Sequence, residues 1–238
     1  MAKNNTGLMI GGIVGIVLAF VALIAITQLQ NKADIDYEAY DLNSVIAADE
    51  NTGGLAENVD GDPDAPVLLY EYGDYQCTAC APMNPYINEL LEEYDGKVAV
   101  VFRTYIMSYH DNGVAAASAA NAAAIQGYWK EYKDLLYETQ NDWYYAEGDE
   151  RQQMFEQYFE QATDGKGDLG QFRQDMGSKE VAQKIKFDAA LSERVGLEWT
   201  PSFYLDGELL DQRNITTSEF MDLLREKIDA KLAELGEE

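Results

Sequence analysis

The chain predicts an α/β domain: a βαβ unit, a long helical block and a ββα ending, all behind one N-terminal apolar segment. Three observations carry this reading. Two apolar, β-rich runs at 67–72 and 97–103 flank a stretch with helical spacing. Residues 112 to about 192 then read as helix throughout. Finally, a strand, an Asp-Gly turn, a second strand and a capped helix close the chain.

Residues 8–26 form an uninterrupted apolar run of 19 residues, which at ~1.5 Å per residue spans roughly 28 Å, close to the hydrocarbon thickness of a bilayer. A cleavable signal peptide is the competing reading. Its apolar core would be shorter, Ala25-Ile26-Thr27 is a poor cleavage site, and no cysteine follows for lipid attachment. The expectation is an uncleaved transmembrane anchor at 8–28 behind a short cytoplasmic tail at 1–7. Lys3 and Lys32 leave the flanking charge nearly balanced. The tail is too short to hold a domain, so everything that can fold lies after the anchor, and orientation follows from the lone thiol pair Cys77 and Cys80, whose disulfide chemistry fits the oxidising face of the membrane.

The chain carries 43 acidic and 17 basic residues, a net charge of −26, and every acid follows the apolar run. Nucleic acid is excluded as a partner, because phosphate binding needs a basic patch. Docking onto an anionic membrane surface is disfavoured for the same reason. The charge reads as a solvated acidic coat; steering of basic substrates is the specific alternative. Residues 29–60 read as an acidic spacer, with Thr52-Gly53-Gly54 and Asp60-Gly61-Asp62-Pro63 as breakers. Within it Tyr37, Tyr40, Leu42, Val45 and Ile46 are apolar enough to lie on the domain. Residues 61–238 then make one domain, with a helical insertion at about 111–192 and no internal repeat.

The elements follow in order. Residues 67–72 are a buried strand. A helix is expected from near Cys77 to about Tyr94, with Ile87, Leu90, Leu91 and Tyr94 at helical spacing and Pro85 as a kink. Asp95-Gly96 stops it, and 97–103 is a second strand parallel to the first. The helical block opens on eight alanines between Ala115 and Ala124. It continues through Tyr132, Leu135 and Leu136, then Phe155 and Phe159, and then Phe172 and Met176. Asp164-Gly165-Lys166-Gly167-Asp168 lacks the ligand spacing of a calcium loop and reads as a turn before a helix. Residues 202–205 and 208–210 form a hairpin about Asp206-Gly207. The final helix starts at the capping box Thr216-Thr217-Ser218-Glu219.

Cys77 and Cys80 are the only cysteines, in Cys-Thr-Ala-Cys directly after the first strand. A two-residue gap closes a small ring and is a poor staple for a chain of this length. It suits a redox couple, in which one thiolate attacks and the other resolves. Structural zinc needs four ligands, and with His110 as the one histidine the chain offers three. No metal or organic cofactor is expected.

With these motifs the chain resembles the DsbA-like branch of the thioredoxin superfamily, over about residues 60–235. The similarity rests on Asp74-Tyr75-Gln76-Cys77-Thr78-Ala79-Cys80, on the segment from His110 to Trp129, and on Thr200-Pro201-Ser202-Phe203-Tyr204-Leu205-Asp206-Gly207. The resemblance implies a thioredoxin fold with an inserted helical domain. It implies Cys77 as nucleophile at a helix start, where free N–H groups favour thiolate, and Cys80 as the resolving thiol. Thr78 and Ala79 bring no positive charge, where DsbA itself has a histidine. Pro201 matches the family's cis-proline; the alternative is a trans proline opening a strand. Thr200 and Pro201 would present backbone to an extended substrate, and Trp199 would narrow or cover that groove. Glu71, six residues before Cys77, matches a buried acid that accepts the resolving thiol's proton; the alternative is a solvent-facing glutamate. His110 opens the inserted helix in relatives, so capping or packing accounts for it as well as catalysis does.

The resulting expectation is a membrane-anchored, extracytoplasmic protein thiol:disulfide oxidoreductase. It would donate the Cys77–Cys80 disulfide to exported proteins and be reoxidised by a membrane redox partner. A reductase of the same fold, or a redox-inactive chaperone or surface-binding module, are the rival readings.

Overall fold

The computed structural model describes residue 35 and residues 37–237. The expected tail 1–7 and anchor 8–28 lie outside the described residues. Among the described residues no helix is long and apolar enough to cross a membrane.

A five-stranded mixed sheet runs in the order β1-β3-β2-β4-β5, where β1 is Asn58–Asp60, β2 is Val67–Gly73, β3 is Val98–Thr104, β4 is Ser202–Leu205 and β5 is Glu208–Leu210. β2 pairs parallel to β3 and antiparallel to β4, so it is the central strand. Between β2 and β3 runs α1 (Cys80–Glu93), which starts later than its apolar spacing suggests. Cys77 to Ala79 form a turn instead, closed by the Cys80 and Ala81 amides donating to the Cys77 carbonyl at 3.1 and 3.3 Å. Six helices separate β3 from β4: α2 (Gly113–Ile125), α3 (Trp129–Glu138), α4 (Gln140–Trp143), α5 (Gly148–Ala162), α6 (Leu169–Met176) and α7 (Lys179–Arg194). Gly127 at φ 82° breaks the first of these junctions. At another, the Asp168 side chain caps α6 by accepting from the Gln171 amide at 2.9 Å. The last helix, α8 (Thr217–Leu235), begins with a complete capping box.

The alternation of a strand explains how the layers form. Val67 and Leu69 of β2 and Val98 and Val100 of β3 face α1 and α8, where Ile87, Leu90, Leu224 and Ile228 complete a dry core. Toward the end of that face, Phe102 joins Tyr75, both cysteines and the inserted helices in a second core. On the opposite face Tyr70, Tyr72 and Val101 pack with Leu197 and Val45. Both sides of β2 and β3 are thus covered, which is why their sequences read as continuous apolar runs.

The spacer expected at 29–60 is corrected from residue 37 onward. Residues from Tyr37 onward belong to the same compact unit as the rest of the domain. Ile46 packs with Phe187 and Leu191, and Asn58–Asp60 adds the edge strand β1 antiparallel to β3. The cause is Arg103, fully buried at the end of β3. Its guanidinium donates to Glu57 Oε1 at 2.5 Å, to the Tyr72 hydroxyl at 2.9 Å, and to the Leu42 and Ser44 carbonyls at 3.0 and 3.3 Å. A buried guanidinium demands such partners, and the acidic segment supplies them. Removing one member of a buried ion pair costs about 3–5 kcal/mol. Glu57→Gln is therefore expected to lower the unfolding free energy in urea by about 3 kcal/mol, and a loss below about 1 kcal/mol would mean that Arg103 is solvated.

Candidate active site

The loop from Asp74 to Ala79 sits where β2 ends, and contacts from the inserted helices hold it in place. Asp74 Oδ1 accepts from the Gln76 amide at 2.9 Å, and the Cys77 amide donates to the Asp74 carbonyl at 2.9 Å. Gln140 of α4 donates from Nε2 to the Tyr75 and Cys77 carbonyls at 2.8 and 3.0 Å. Gln76 donates to the Tyr144 carbonyl at 2.9 Å, and its Oε1 accepts from the Asn112 amide. Asn112 in turn ties down the carbonyls of Trp143, Tyr144 and Ala146 at 2.9–3.1 Å. The turn carrying the cysteines is thereby fixed from beneath by groups 36 to 65 residues away.

Both cysteines are free thiols. Cys77 retains 8 % of its surface while Cys80 retains none. In the thiol form Cys77 Sγ donates to the Thr200 carbonyl at 3.3 Å. The pKa of Cys77 is lowered to about 6, first by the Cys80 thiol hydrogen-bonding to it, against the opposing effect of burial. The Thr200 side chain and the Ala79 and Cys80 amides lower it further. Thr200 Oγ1 is buried and has no hydrogen-bond partner among the described residues, so its proton is free to turn toward the sulfur once a thiolate forms. Burial pushes Cys80 well above the ordinary thiol range, and its contact with Cys77 adds to this. Three residues apart, one thiol is held acidic and reachable, the other neutral and dry.

The Thr200–Pro201 peptide is cis, and the Pro201 carbonyl accepts from Gln212 Nε2. Trp199 is turned aside to Arg213, whose guanidinium carbon lies 4.9 Å from its ring centroid and is itself paired with Asp211 at 2.8 Å. The outer rim is aromatic: Tyr144 and Tyr145 stack edge-on at 4.6 Å, and Tyr109 does the same against His110. Tyr145 is 87 % exposed and Tyr109 70 %.

Glu71 lies behind Cys80 in the central strand, paired in register with Phe102 on one side and Phe203 on the other. It is buried. Burial pushes its carboxyl up to about 7, Lys133 pulls it back, and Asp60 and Cys77 push it higher. A carboxyl with that pKa can both give and accept a proton near neutrality. Among the residues expected to matter, Cys77, Cys80, Thr200 and Glu71 come together, with Pro201 following Thr200 in the chain; Trp199 stands to one side.

Sequence reasoning missed two features of the site. Lys133 is buried and donates to Asp60 Oδ2 at 3.1 Å, with the half-exposed Lys130 at 3.3 Å from the same oxygen. A lysine at helical spacing from Trp129 and Tyr137, on the apolar face of α3, was the available signal. His110 Nδ1 meets buried Asp74 Oδ2 at 2.6 Å, and the same oxygen accepts from the Met107 amide at 2.9 Å. Here the histidine locks the start of the insertion onto the cysteine loop, and nothing local in the sequence pairs the two. Among the described residues no cluster of three or more His, Cys, Asp or Glu side chains is placed to hold a metal ion.

The chain is 29 % identical over 155 residues to the Na(+)/H(+) antiporter NhaA 1 of Mycobacterium sp. (strain KMS), a match covering 64 % of this chain and 24 % of that protein. It thus spans about a quarter of the length of such curated relatives. It is also 29 % identical over 180 residues to the "Probable disulfide bond formation protein D" of Bacillus anthracis, covering 72 % of this chain and 76 % of that one. Among solved structures, oxidised BdbD from Bacillus subtilis superposes with a TM-score of 0.63 at 20 % identity, covering 80 % of this chain and 99 % of that one. A family model described as thioredoxin matches residues 55–226, well over half of the sequence. The chain therefore belongs to the thioredoxin family, with the fold of its DsbA-like branch.

Proposed function

We propose that the protein is an extracytoplasmic thiol:disulfide oxidoreductase that donates the Cys77–Cys80 disulfide to exported proteins. The observation that carries this reading is the split between the two thiols: Cys77 acidic and keeping 8 % of its surface, Cys80 neutral and fully buried. A substrate thiolate attacks Cys77 Sγ, the sulfur that can be reached. The Cys77–Cys80 bond breaks, and Cys80 leaves with the electron pair and takes up a proton. A second substrate thiolate then attacks the substrate sulfur of the mixed disulfide. Cys77 leaves as thiolate, and two electrons have passed to the protein.

Stabilising the Cys77 thiolate stabilises the reduced form, which makes the disulfide a better oxidant. This supports donation over reduction. Turnover then needs a membrane partner that takes the two electrons back, and an anchor at 8–28 would keep the domain beside such a partner. Thr200 and Pro201 would align an extended substrate strand beside Cys77, with Trp199 at the groove's edge. Glu71 would serve as the proton reservoir for Cys80.

Equilibration of the full chain with glutathione tests the direction. The reading expects a reduction potential clearly above about −270 mV, the value of thioredoxin; a value at or below that would sink it in favour of a reductase. Cys77→Ser should abolish disulfide formation in a reduced substrate protein, and unchanged function would support a binding module.

The pH dependence carries its own sign. Because the Cys77 pKa is depressed, the thiolate stabilises the reduced form at pH above the ordinary thiol range. That stabilisation is lost as pH falls through about 6. Iodoacetamide should therefore alkylate Cys77 with a midpoint near pH 6 and leave Cys80 unmodified in the folded protein. A midpoint above 8 would remove the thiolate from the argument.

A further inference from the structure

The two most exposed large apolar side chains among the described residues, Tyr145 and Tyr109, both stand beside the cysteine loop. Tyr145 is held there through its neighbour. The Tyr144 carbonyl accepts from Nε2 of Gln76, the residue before Cys77, at 2.9 Å, and the two tyrosine rings meet edge-on at 4.6 Å. Tyr109 lies against the ring of His110, whose Nδ1 meets Asp74 Oδ2 at 2.6 Å. Asn112 joins the two segments, since its amide donates to Gln76 Oε1 and its side chain to the Tyr144 carbonyl. Single exposed apolar residues are ordinary on any surface, but three tyrosines gathered beside one reactive sulfur form a patch. Exposed carboxylates share this rim. Asp111 follows His110, Asp142 lies in α4 two residues after Gln140, and Glu147 precedes α5. None of these three side chains has a hydrogen-bond or ion-pair partner among the described residues. The cations nearby are engaged elsewhere: Arg151 donates to Asn112 Oδ1 at 2.5 Å, Arg213 pairs with Asp211 at 2.8 Å, and buried Lys133 pairs with Asp60 at 3.1 Å. The rim therefore presents ring faces and negative charge that no cation of the described residues answers.

We propose that this rim selects substrate chains that carry a lysine or arginine close to the reacting cysteine. The proposal rests on the thiol–disulfide reading of the cysteine pair and names the substrate class of the same site. A cation over a tyrosine face is attracted by the ring quadrupole, and the carboxylates around it add to that attraction. An extended chain advances ~3.3 Å per residue, so a side chain two positions from the cysteine starts roughly 7 Å along the strand. A lysine or arginine stem covers the remaining distance, lying along the rings while its charged head stays in water among Asp111, Asp142 and Glu147. A glutamate at the same position meets like charge and is disfavoured. Thr200, whose carbonyl accepts from Cys77 Sγ at 3.3 Å, keeps a buried hydroxyl with no partner among the described residues. In the oxidised protein, before any thiolate forms, the backbone of the incoming chain can satisfy it.

The test measures the stopped-flow rates at which short peptides reduce the oxidised full chain at neutral pH. Each peptide has one cysteine in a glycine–serine background, with lysine, glutamate, phenylalanine or serine two positions to either side. Each rate is divided by that of the same peptide with bis(2-hydroxyethyl) disulfide, an uncharged reference that removes differences in intrinsic thiol reactivity. The lysine peptide should exceed the serine peptide by at least about fivefold. The glutamate peptide should fall below the serine one, and phenylalanine should gain less than lysine. Raising salt from about 0.01 M to about 1 M shortens the Debye length from about 30 Å to about 3 Å and should shrink the lysine advantage. Tyr109→Ser with Tyr145→Ser should cut the lysine-to-serine ratio to below about twofold, as should Asp111→Asn with Glu147→Gln. These ratios compare peptides on one protein, so a uniform loss of reactivity in a variant cancels. A lysine advantage that survives both double variants belongs to the acidic surface as a whole and overturns the rim. Equal rates for the lysine and glutamate peptides, or a phenylalanine peptide faster than the lysine one, overturn the selection of cations. Failure of the parent disulfide to react with dithiothreitol at all would instead overturn the redox reading beneath it.

Discussion

Placing β2 between β3 and β4, with helices over one face and the 40–46 segment over part of the other, strips water from the carboxyl of Glu71. The same enclosure reaches Cys80, whose thiol it holds neutral. Desolvation alone would silence both cysteines. Cys77 escapes because it stands three residues earlier, at the lip of the enclosure, where the Cys80 thiol, the Thr200 side chain and two backbone amides converge on its sulfur. One dry boundary thus yields two thiols of opposite character and, behind them, a carboxyl that titrates near neutrality. The asymmetry that thiol–disulfide exchange needs comes from where each group stands relative to that boundary.

The inserted helices make the boundary rigid. α2 buries Ala116, Ala117, Ala119, Ala120, Ala122 and Ala123, small side chains that let the neighbouring helices close in. Gln140 of α4 reaches back to the Tyr75 and Cys77 carbonyls, the Asn112 amide donates to the Gln76 side chain, and Lys133 brings a positive charge to the vicinity of Glu71. His110 anchors the start of the insertion on Asp74, directly in the cysteine loop. The insertion therefore does more than cover the site, since it supplies the donors that hold the loop and part of the electrostatic balance around its acid. Groups held by such a surround keep their geometry through a reaction cycle.

Legibility in the sequence tracked how local each signal was. The strand before Cys77, the Asp206-Gly207 hairpin and the Thr216–Glu219 capping box are encoded in a few adjacent residues, and they appear at the expected positions. The first turn of α1 was placed early, because apolar spacing does not reveal that 77–79 close a turn before the helix begins. β1 was missed for another reason. Asn58-Val59-Asp60 is three residues long and polar on either side of one valine. It is a strand because Arg103, 46 residues on, draws Glu57 into the core. Lys133 with Asp60 and His110 with Asp74 are likewise pairs separated by 73 and 36 residues. Such pairs exist only once the chain has folded, and no window of sequence displays them.

The acidity of Cys77 has to be reconciled with a chain of net charge −26. A field of that sign disfavours a new anion, and neither Thr78 nor Ala79 offers a compensating cation. What lowers the pKa is a set of short-range hydrogen bonds in a partly buried pocket, where they act at a low effective dielectric. The acidic coat is spread over solvent-exposed side chains, and at physiological ionic strength its effect decays over about 8 Å. The two influences therefore act on different scales. The coat acts on the solvent around the protein, while the pocket sets the difference between the two thiols. Added salt would weaken the first and leave the second in place, so a heavily acidic surface is compatible with an acidic Cys77 thiol.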